Sequence, residues 1–409
     1  MPFRVRVLAA SLAALGLLTS VPVAAVAAER GSLLSAKPIA RLSAPQTAKA
    51  LRSAGLPTRR ARRGVSAYRL RYVTVGVDHA ALTASALLVL PHGRRGLPTV
   101  AYEHGTLVRR TDAPSQGLDS LASSAAVLYG ASGFATVAPD YLGLGSGDGR
   151  QAYLHAATEA SASIDALRAA RIFARSHGRR LDTRVLVTGF SQGGHAAMAL
   201  GQALQRSAAP KLRLRALAPV SGVFDLQRAE IPAILDGGLD GRISAYNVSA
   251  LLTSWQPIYH LYGSLTDAIA PDYAKRVRRL FDGRHGDLEI LAAMPTRVSD
   301  LLTPAGLDDL QHPDRGLLAG LRASDATCRW KPRTPVRLYA ANGDRAVTSA
   351  NSEHCARELR ARHANVDVIQ LGPLDHFPSM FAATPQVLAW FTHLARITRP
   401  PHESPGTGT

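Results

Sequence analysis

The sequence of 409 residues contains only two cysteines, Cys328 and Cys355. Neither cysteine has another Cys or His at the spacing of a zinc site, and no EF-hand loop occurs, so no metal-binding motif is found. The two cysteines flank one predicted strand-loop-helix unit. In an oxidising compartment they could form a disulfide, and two unpaired buried thiols are the alternative.

Beyond its N-terminus, the sequence also lacks an apolar run long enough to span a bilayer, which takes about 20 residues. The N-terminus itself has Arg4 and Arg6, then an apolar stretch at residues 7–18, then small residues that end at residues 25–28. This order is typical of a cleavable secretory signal. We therefore expect residues 1–28 to be removed and the mature protein to be soluble and exported, either secreted or periplasmic.

Acidic side chains are few: 30 Asp and Glu stand against 48 Lys and Arg, for a formal net charge of +18. Nearly all of the positive charge is arginine, and one dense run occurs at Arg59-Arg60-Ala61-Arg62-Arg63. No nucleic-acid motif interleaves aromatic residues with these arginines. The charge therefore predicts a solvated basic surface with peripheral contact to anionic envelope surfaces, and no nucleic-acid partner. The oligomeric state is not readable from the sequence.

Strand-like and helical segments alternate through most of the chain. Two β-rich runs at residues 68–77 and 81–91 predict an antiparallel hairpin at one edge of a sheet. Further strands are predicted at residues 99–103, 134–138, 185–188, 214–220, 336–341 and 366–371, with a helix at 156–176. Strands interleaved with amphipathic helices favour an α/β fold with a mostly parallel central sheet and helices on both faces.

Residues 226–325 interrupt this alternation. They lack strand-like runs and show helical periodicity, for example at residues 272–281 and 288–302. The segment is too long for an ordinary connection and predicts an inserted helical lid over the carboxyl ends of the strands. The expected organisation is a signal (1–28), a loosely packed arm with a helix near 48–56 (29–64), an α/β core (65–225 and 326–400), the helical lid (226–325) and a polar tail (401–409).

One serine has the sequence context of a nucleophile. The pentapeptide Gly189-Phe190-Ser191-Gln192-Gly193 follows the apolar run Val185-Leu186-Val187 and precedes a helix-forming stretch. A nucleophile elbow needs this strand-turn-helix context, with glycines that keep neighbouring side chains out of a strained turn. The sequence therefore predicts Ser191 as a nucleophile.

A serine hydroxyl needs a base and a group that orients the base. Asp344 lies in a turn just after a predicted strand, and His376 lies in the loop after the last strand. The order Ser191, Asp344, His376 is that of α/β-hydrolase triads. Asp375 is a rival carboxylate, but it directly precedes the histidine, so its side chain is expected to point away from the ring.

Acyl transfer also needs backbone N–H groups that face the developing oxyanion. A strand ends at Tyr102-Glu103-His104-Gly105-Thr106, where the glycine turn can direct the Thr106 N–H toward the nucleophile. The N–H of Gln192, directly after the serine, is the expected second donor.

Three segments carry a resemblance to a known family. They are Tyr102-Glu103-His104-Gly105-Thr106, Ala138-Pro139-Asp140-Tyr141-Leu142-Gly143-Leu144-Gly145 and Gly189-Phe190-Ser191-Gln192-Gly193-Gly194-His195. From Tyr68 onward, outside the insertion, the chain resembles α/β-hydrolases of the secretory lipase family and similar bacterial secreted esterases. The resemblance implies the α/β-hydrolase fold, a lid over an acyl pocket and ester hydrolysis through a serine acyl-enzyme, without a metal or organic cofactor.

The function expected is that of a secreted serine esterase or lipase acting on small-molecule or lipid esters. A prolyl-type peptidase or an aminopeptidase of the same fold is the alternative, and Glu230 or Asp236 in the lid could hold a substrate amine. A non-catalytic, envelope-associated binding protein is a third hypothesis, although such proteins usually lose a triad residue.

Overall fold

A single mixed sheet organises the chain. The computed structural model describes residues 29–206 and 211–397, so the predicted signal at residues 1–28 and the predicted polar tail lie outside the described residues. The strands are β1 (Leu33–Leu42), β2 (Val65–Val75), β3 (Ala81–Pro91), β4 (Gly96–Glu103), β5 (Ala135–Pro139), β6 (Arg180–Phe190), β7 (Arg213–Val220), β8 (Val336–Ala340) and β9 (Val366–Gln370). They form one nine-stranded sheet in the order β1-β2-β3-β5-β4-β6-β7-β8-β9.

The first strands of the sheet are antiparallel and the others are parallel. β1 pairs with β2, β2 with β3, and β3 with β5 in antiparallel register. From β5 through β4, β6, β7 and β8 to β9 every pair is parallel. Parallel strands need crossover connections, and helices supply them. The predicted mostly parallel sheet of an α/β fold is therefore confirmed.

Helices cover both faces of the sheet and make up the insertion. They are α1 (Ala44–Ser53), α2 (Leu121–Ala131), α3 (Ala156–Ser176), α4 (Gln192–Gln205), α5 (Ile231–Leu235), α6 (Gly241–Tyr259), α7 (Leu265–Ala268), α8 (Pro271–Leu280), α9 (Asp287–Ala293), α10 (Val298–Leu301), α11 (Pro304–Gln311), α12 (Arg315–Ser324), α13 (Ala350–Arg360) and α14 (His376–Ile397). Single helical turns also occur at Arg110–Asp112, Pro114–Gln116, Leu226–Glu230 and Asp325–Cys328.

The two faces of the sheet bury separate apolar clusters. Along β6, Val185 and Val187 belong to the cluster under α3 and α4, whereas Leu186 belongs to the cluster under α2 and α14. Successive side chains of a strand point to opposite faces, so a continuous apolar run is what a strand covered on both sides requires. This burial fixes the strand that carries Ser191.

The arm expected at residues 29–64 is more ordered than predicted. β1 pairs with β2 along its length, and Ser43 caps α1 with a reciprocal bond to Gln46. β2 and β3 form the predicted antiparallel hairpin. Its predicted position at the sheet edge is wrong, because β1 lies outside β2 and occupies the edge. β1 includes Pro38, and each of its residues is half-buried or exposed. Backbone pairing, which leaves no pattern in the sequence, therefore holds β1 in the sheet.

The insertion contains helices, with one isolated antiparallel bridge between Ile269 and Leu302. Its buried side chains form a third apolar cluster, which includes the fully buried Trp255. The helix expected at residues 288–302 is instead two helices, α9 and α10, with Pro295 between them. Proline disfavours a helical conformation at the preceding residue and so ends α9. The division of the chain into domains stays a prediction.

Cys328 and Cys355 are bonded to each other, with a Cα–Cα distance of 5.2 Å. Both residues are buried, and the bond joins the segment before β8 to α13. In the described part of the chain, no helix combines the length and apolar character needed to cross a membrane.

Candidate active site

Ser191 occupies a sharp turn between β6 and α4. Its backbone has φ 59° and ψ −124°, which is a strained conformation for a residue with a side chain. Its N–H donates to the carbonyl oxygen of Val220 at 3.0 Å, and its own carbonyl accepts from Gly194 at 2.8 Å. These bonds hold the turn in place at the carboxyl end of the strand. The strained serine is what a nucleophile elbow requires.

The two glycines of the pentapeptide are required by close backbone contacts. A Cβ on Gly189 would lie 2.1 Å from the carbonyl oxygen of Gly193, and a Cβ on Gly193 would lie 2.0 Å from that of Glu103. Neither obstacle is a flexible side chain. Only glycine therefore lets β6, α4 and β4 meet this closely beneath Ser191.

Asp344 lies in the loop after β8. His376 is the first residue of α14, the helix that follows β9, and not a loop residue as predicted. The Nδ1 atom of His376 lies 2.8 Å from Oδ2 of Asp344, and both side chains are almost fully buried. The other oxygen of Asp344 accepts from the backbone N–H groups of Ala346 at 2.9 Å and Val347 at 3.0 Å. The carboxylate is thus fixed on both oxygens, and Nε2 is the ring nitrogen left to act on a substrate.

Asp375 is used elsewhere. Its Oδ1 atom accepts from the backbone N–H groups of Arg345 at 3.0 Å and His376 at 2.7 Å. The backbone hydrogen bonds from Arg345 and His376 keep the pKa of Asp375 low, although burial opposes this. The Asp375 carboxylate therefore binds the backbone at His376, whereas Asp344 contacts the imidazole ring of His376.

One cavity of about 270 Å³ brings the predicted residues together. Ser191, His376 and Thr106 all line it. In the described part of the chain, Ser191 Oγ and His376 Nε2 make no direct hydrogen bond, and such bonds often tighten only when substrate is bound. The aromatic ring of Phe190 packs on His376 with centroids 4.5 Å apart. The remaining walls are mostly apolar: Tyr102, Leu107, Leu121, Ala122, Ile243, Tyr246, Leu291, Ala346, Val347, Phe377 and Met380.

The loop after β4 approaches Ser191 closely. A Cβ on Gly105 would lie 3.3 Å from the carbonyl oxygen of Phe190 and 3.5 Å from Cβ of Ser191. Beside it, the ring of His104 lies fully buried, with Nδ1 2.6 Å from the Gly105 carbonyl and Nε2 3.3 Å from the Asp140 carbonyl. Thr106 is therefore held at the cavity wall by a rigid turn. Its N–H, like that of Gln192, remains a predicted oxyanion donor.

A buried network supports Gln192, and the sequence analysis missed its acidic member. Glu159 on α3 accepts from Nε2 of Gln192 at 2.8 Å and contacts Nδ1 of His195 at 2.7 Å. Burial lowers the pKa of His195, but the charge and hydrogen bond of Glu159 outweigh it and raise the pKa. The contacts of Glu159 with Gln192 and His195 anchor the first turn of α4. Only the packing of α3 on α4 reveals it, because the residues are far apart in sequence.

Asp287 is a second residue that the sequence analysis missed. It comes from α9 of the insertion, lines the cavity and accepts from the Tyr246 hydroxyl at 2.9 Å. The acids proposed for holding a substrate amine lie elsewhere. Glu230 is buried and accepts from Asn351 at 2.7 Å, and Asp236 is exposed. Neither lines the cavity.

No group of three or more potential metal-ligating side chains is found within residues 29–206 and 211–397.

The nine-stranded sheet, the elbow and the carboxyl-end cavity define this chain as an α/β-hydrolase. Within that class it resembles the secretory lipases: a family model described as Secretory lipase matches residues 119–272. That stretch includes the elbow and the start of the insertion. Both the fold and the resemblance expected from the sequence are confirmed. A search of curated proteins finds no match.

Solved structures of the same fold include hydrolases and esterases. A putative hydrolase from Legionella pneumophila shares 25% identity over 90% of this chain and 99% of its own, with a TM-score of 0.83. The rice cell wall degrading esterase LipA from Xanthomonas oryzae shares 26% identity over 91% and 100%, with a TM-score of 0.81. Candida antarctica lipase A shares 16% over 91% and 84%, with a TM-score of 0.69, and shows the fold alone. The family match and these neighbours support a carboxylic ester hydrolase.

Proposed function

We propose that the chain is an exported serine esterase that cleaves esters of short, apolar acids. The observation that supports this most directly is the arrangement of Ser191 in the strained turn and His376 bound to Asp344 on the wall of one apolar cavity. The match to a secretory lipase model and the predicted N-terminal signal support export.

The reaction proposed has two halves. Ser191 Oγ attacks the ester carbonyl while Nε2 of His376 takes its proton, and Asp344 stabilises the imidazolium. The backbone N–H groups of Thr106 and Gln192 stabilise the oxyanion of the tetrahedral intermediate. The intermediate collapses as His376 protonates the leaving alcohol, which leaves an acyl group on Ser191. Water then attacks this acyl-enzyme by the same steps and releases the acid.

The cavity favours small acyl groups. Its volume of about 270 Å³ lies below the roughly 300–1,000 Å³ of pockets that enclose drug-sized ligands. Its walls bury apolar carbon and present few polar atoms away from the serine. We therefore expect short acyl chains to be hydrolysed faster than long ones, unless the lid opens.

The experiment is hydrolysis of p-nitrophenyl esters of increasing acyl length, with aminoacyl p-nitroanilides as rival substrates. Wild type should hydrolyse the butyrate ester faster than the palmitate ester. Ser191→Ala should lower kcat at least about 10³-fold. The control is Ser254→Ala on α6, which should keep the wild-type kcat, because in the described residues the Ser254 hydroxyl bonds to the Leu251 carbonyl alone.

A fluorophosphonate probe, followed by mass mapping of the adduct, tests the nucleophile independently of substrate choice. Labelling of Ser191 together with ester turnover supports the proposal. Cleavage of anilides without esters would replace it with a peptidase. A folded protein that neither labels nor turns over substrate would favour the non-catalytic alternative.

A further inference from the structure

A second, larger cavity lies at the opposite end of the sheet from Ser191. Its volume is about 1080 Å³, and residues at the amino-terminal ends of β4, β5 and β6 line it together with parts of α3 and α14. The backbone N–H of Arg180, the first residue of β6, donates to the Arg95 carbonyl at 2.8 Å and so joins the start of β6 to the residue before β4. Ser191 follows the other end of the same strand.

The lining is strongly and unevenly charged. Eight arginines and one acidic residue, Asp182, line this cavity, which gives eight minus one, or seven, net positive charges. The one carboxylate is already paired, because Arg184 donates to it from Nε at 3.2 Å and from Nη2 at 2.9 Å. The other seven guanidinium groups therefore have no acidic partner on the cavity wall.

Five of these guanidinium groups have no hydrogen-bond or ion-pair partner among the residues that the structure describes: Arg94, Arg95, Arg175, Arg180 and Arg396. Of the other two, Arg179 donates to the Pro91 carbonyl at 2.6 Å and Arg171 to the Leu181 carbonyl at 3.5 Å. Each guanidinium has five N–H donors in a planar fork, so most of the donors in this cavity are available to a ligand.

The like charges also disfavour one another. Burial, followed by the charge of Arg175, lowers the pKa of Arg171. Burial, followed by the charge of Arg184, lowers the pKa of Arg215, whose Nε atom is buried without a partner in the described residues. This crowding of positive charge costs folding free energy unless anions neutralise it.

We propose that this arginine cavity binds a flexible polyanion with closely spaced phosphate groups. Guanidinium forks match phosphate oxygens bidentately. Seven net charges in a space equivalent to a sphere roughly 13 Å across call for a dense ligand charge, which a phosphate chain supplies and sparsely charged polymers do not.

Two other anionic partners fit the cavity less well. Single-stranded nucleic acid is held by base stacking on aromatic faces, and the one aromatic residue of the lining, Phe134, is buried with 2% of its surface exposed. A lipid bilayer is a flat surface, so its headgroups contact a concave cavity less completely than a flexible chain that can enter it.

The position of the cavity separates binding from hydrolysis. β4 spans eight residues, which at about 3.3 Å per residue places the two cavities roughly 25 Å apart. A polyanion at the arginine cavity would therefore retain the protein on an anionic matrix while the serine cavity stays open. The proposal does not depend on the esterase function.

The test uses inorganic polyphosphate as the probe, with binding to the full chain measured by calorimetry over a range of salt concentrations. The site variant combines Arg95→Gln, Arg175→Gln and Arg180→Gln. These three side chains are exposed and have no partner within residues 29–206 and 211–397. The control is Arg278→Gln, Arg279→Gln and Arg322→Gln, which removes the same charge from exposed positions of the insertion.

The site variant should raise Kd at least tenfold and reduce the slope of log K against log salt by roughly two to three, as counterion release predicts. The control should change Kd less than about twofold and keep the wild-type melting temperature. The site variant, which relieves the crowding of positive charge, should melt at or above the wild-type temperature. Both variants should keep the wild-type activity on p-nitrophenyl butyrate. Equal losses in both variants, or no polyphosphate binding by the wild type, would overturn the proposal. So would tighter binding to single-stranded DNA or to phosphatidylglycerol vesicles at equal phosphate concentration.

Discussion

Asp287 of the insertion accepts a hydrogen bond on Oδ1 from the backbone N–H of Val108, at 3.2 Å. The same oxygen accepts the Tyr246 hydroxyl. Val108 lies two residues after Thr106, so this bond ties the insertion to the loop that carries a proposed oxyanion donor. A neighbouring bond from Arg110 N–H to the Gly283 carbonyl, at 2.9 Å, adds a second tie.

Removing the Asp287 carboxylate should therefore impair turnover by displacing that loop. Asp287→Ala leaves the Val108 N–H unpaired, and we expect kcat for p-nitrophenyl butyrate to fall about 10- to 100-fold, corresponding to 1–3 kcal/mol. Asp287→Asn keeps an acceptor oxygen and should retain most activity. Asp272→Ala, an exposed carboxylate on α8, is the control. Equal activity of Asp287→Ala and wild type would show that the tie is irrelevant to catalysis.

The pairing of His376 with Asp344 predicts a distinct effect for each of two neighbouring carboxylates. Asp344→Asn presents an N–H to Nδ1 and stabilises the wrong tautomer, so kcat should fall by about 10³- to 10⁴-fold without loss of folding. Asp375→Asn should stay within about tenfold of wild type, because Asp375 bonds only backbone N–H groups. The measurements are kcat of each variant on one ester and circular dichroism to show that each variant is folded. A larger loss of kcat in Asp375→Asn than in Asp344→Asn would assign the orienting role to Asp375.

Glu230 should make the protein less stable as pH rises. Burial raises its pKa from 4.5 to about 8, so the folded state keeps a proton that the unfolded state has lost between those values. The free energy of unfolding therefore falls with rising pH across this window, by at most about 1.4 kcal/mol per pH unit for this group. Denaturant unfolding from pH 5 to 8 should show a shallower decline for Glu230→Gln. Part of the decline should remain, since burial raises the pKa of Glu103 to about 8 as well.

Glu358→Gln is the control for that experiment. Burial raises the pKa of Glu358, but hydrogen bonds from Arg228 and Arg362 outweigh it and lower the pKa. Its titration then lies below the window, and the substitution should leave the slope between pH 5 and 8 unchanged. A Glu230→Gln protein with the wild-type slope would mean that Glu230 is ionised throughout.

The bond between Cys328 and Cys355 should stabilise the fold by restricting the unfolded chain. Its sequence separation is 27, for which loop-closure entropy gives about 3.5 kcal/mol. Reductant should lower the guanidinium midpoint of wild type and leave that of the Cys328→Ala, Cys355→Ala variant unchanged. A wild-type midpoint insensitive to reductant would contradict the prediction.

Local sequence was sufficient wherever one short segment sets the geometry. The apolar run before Ser191 and the glycines around it predict a strand and a tight turn, because burial on both faces and close backbone contact each leave a signature within a few residues. The helix at residues 156–176 was predicted with the bounds that the structure has. The turn carboxylate Asp344 and the histidine His376 were predicted as candidates for the same reason, since each follows a recognisable strand.

Contacts between distant segments could not be predicted in this way. The pairing of β1 with β2 depends on backbone bonds that leave no side-chain pattern. Glu159 contacts His195 only because α3 packs on α4, and Asp287 reaches Val108 only because the insertion folds back over the site. A polar partner across such a distance has no period or spacing in the sequence.

The sequence by itself determined the α/β alternation, the elbow around Ser191 and the order of the catalytic candidates, because strand burial and turn chemistry act over short stretches. Only the tertiary structure decided which charged side chains line the same cavity. Arginines scattered along the sequence, such as Arg95, Arg175 and Arg180, meet in one cavity, since parallel strands bring their amino-terminal ends to the same edge of the sheet. The same topology places Ser191 and His376 together at the opposite edge.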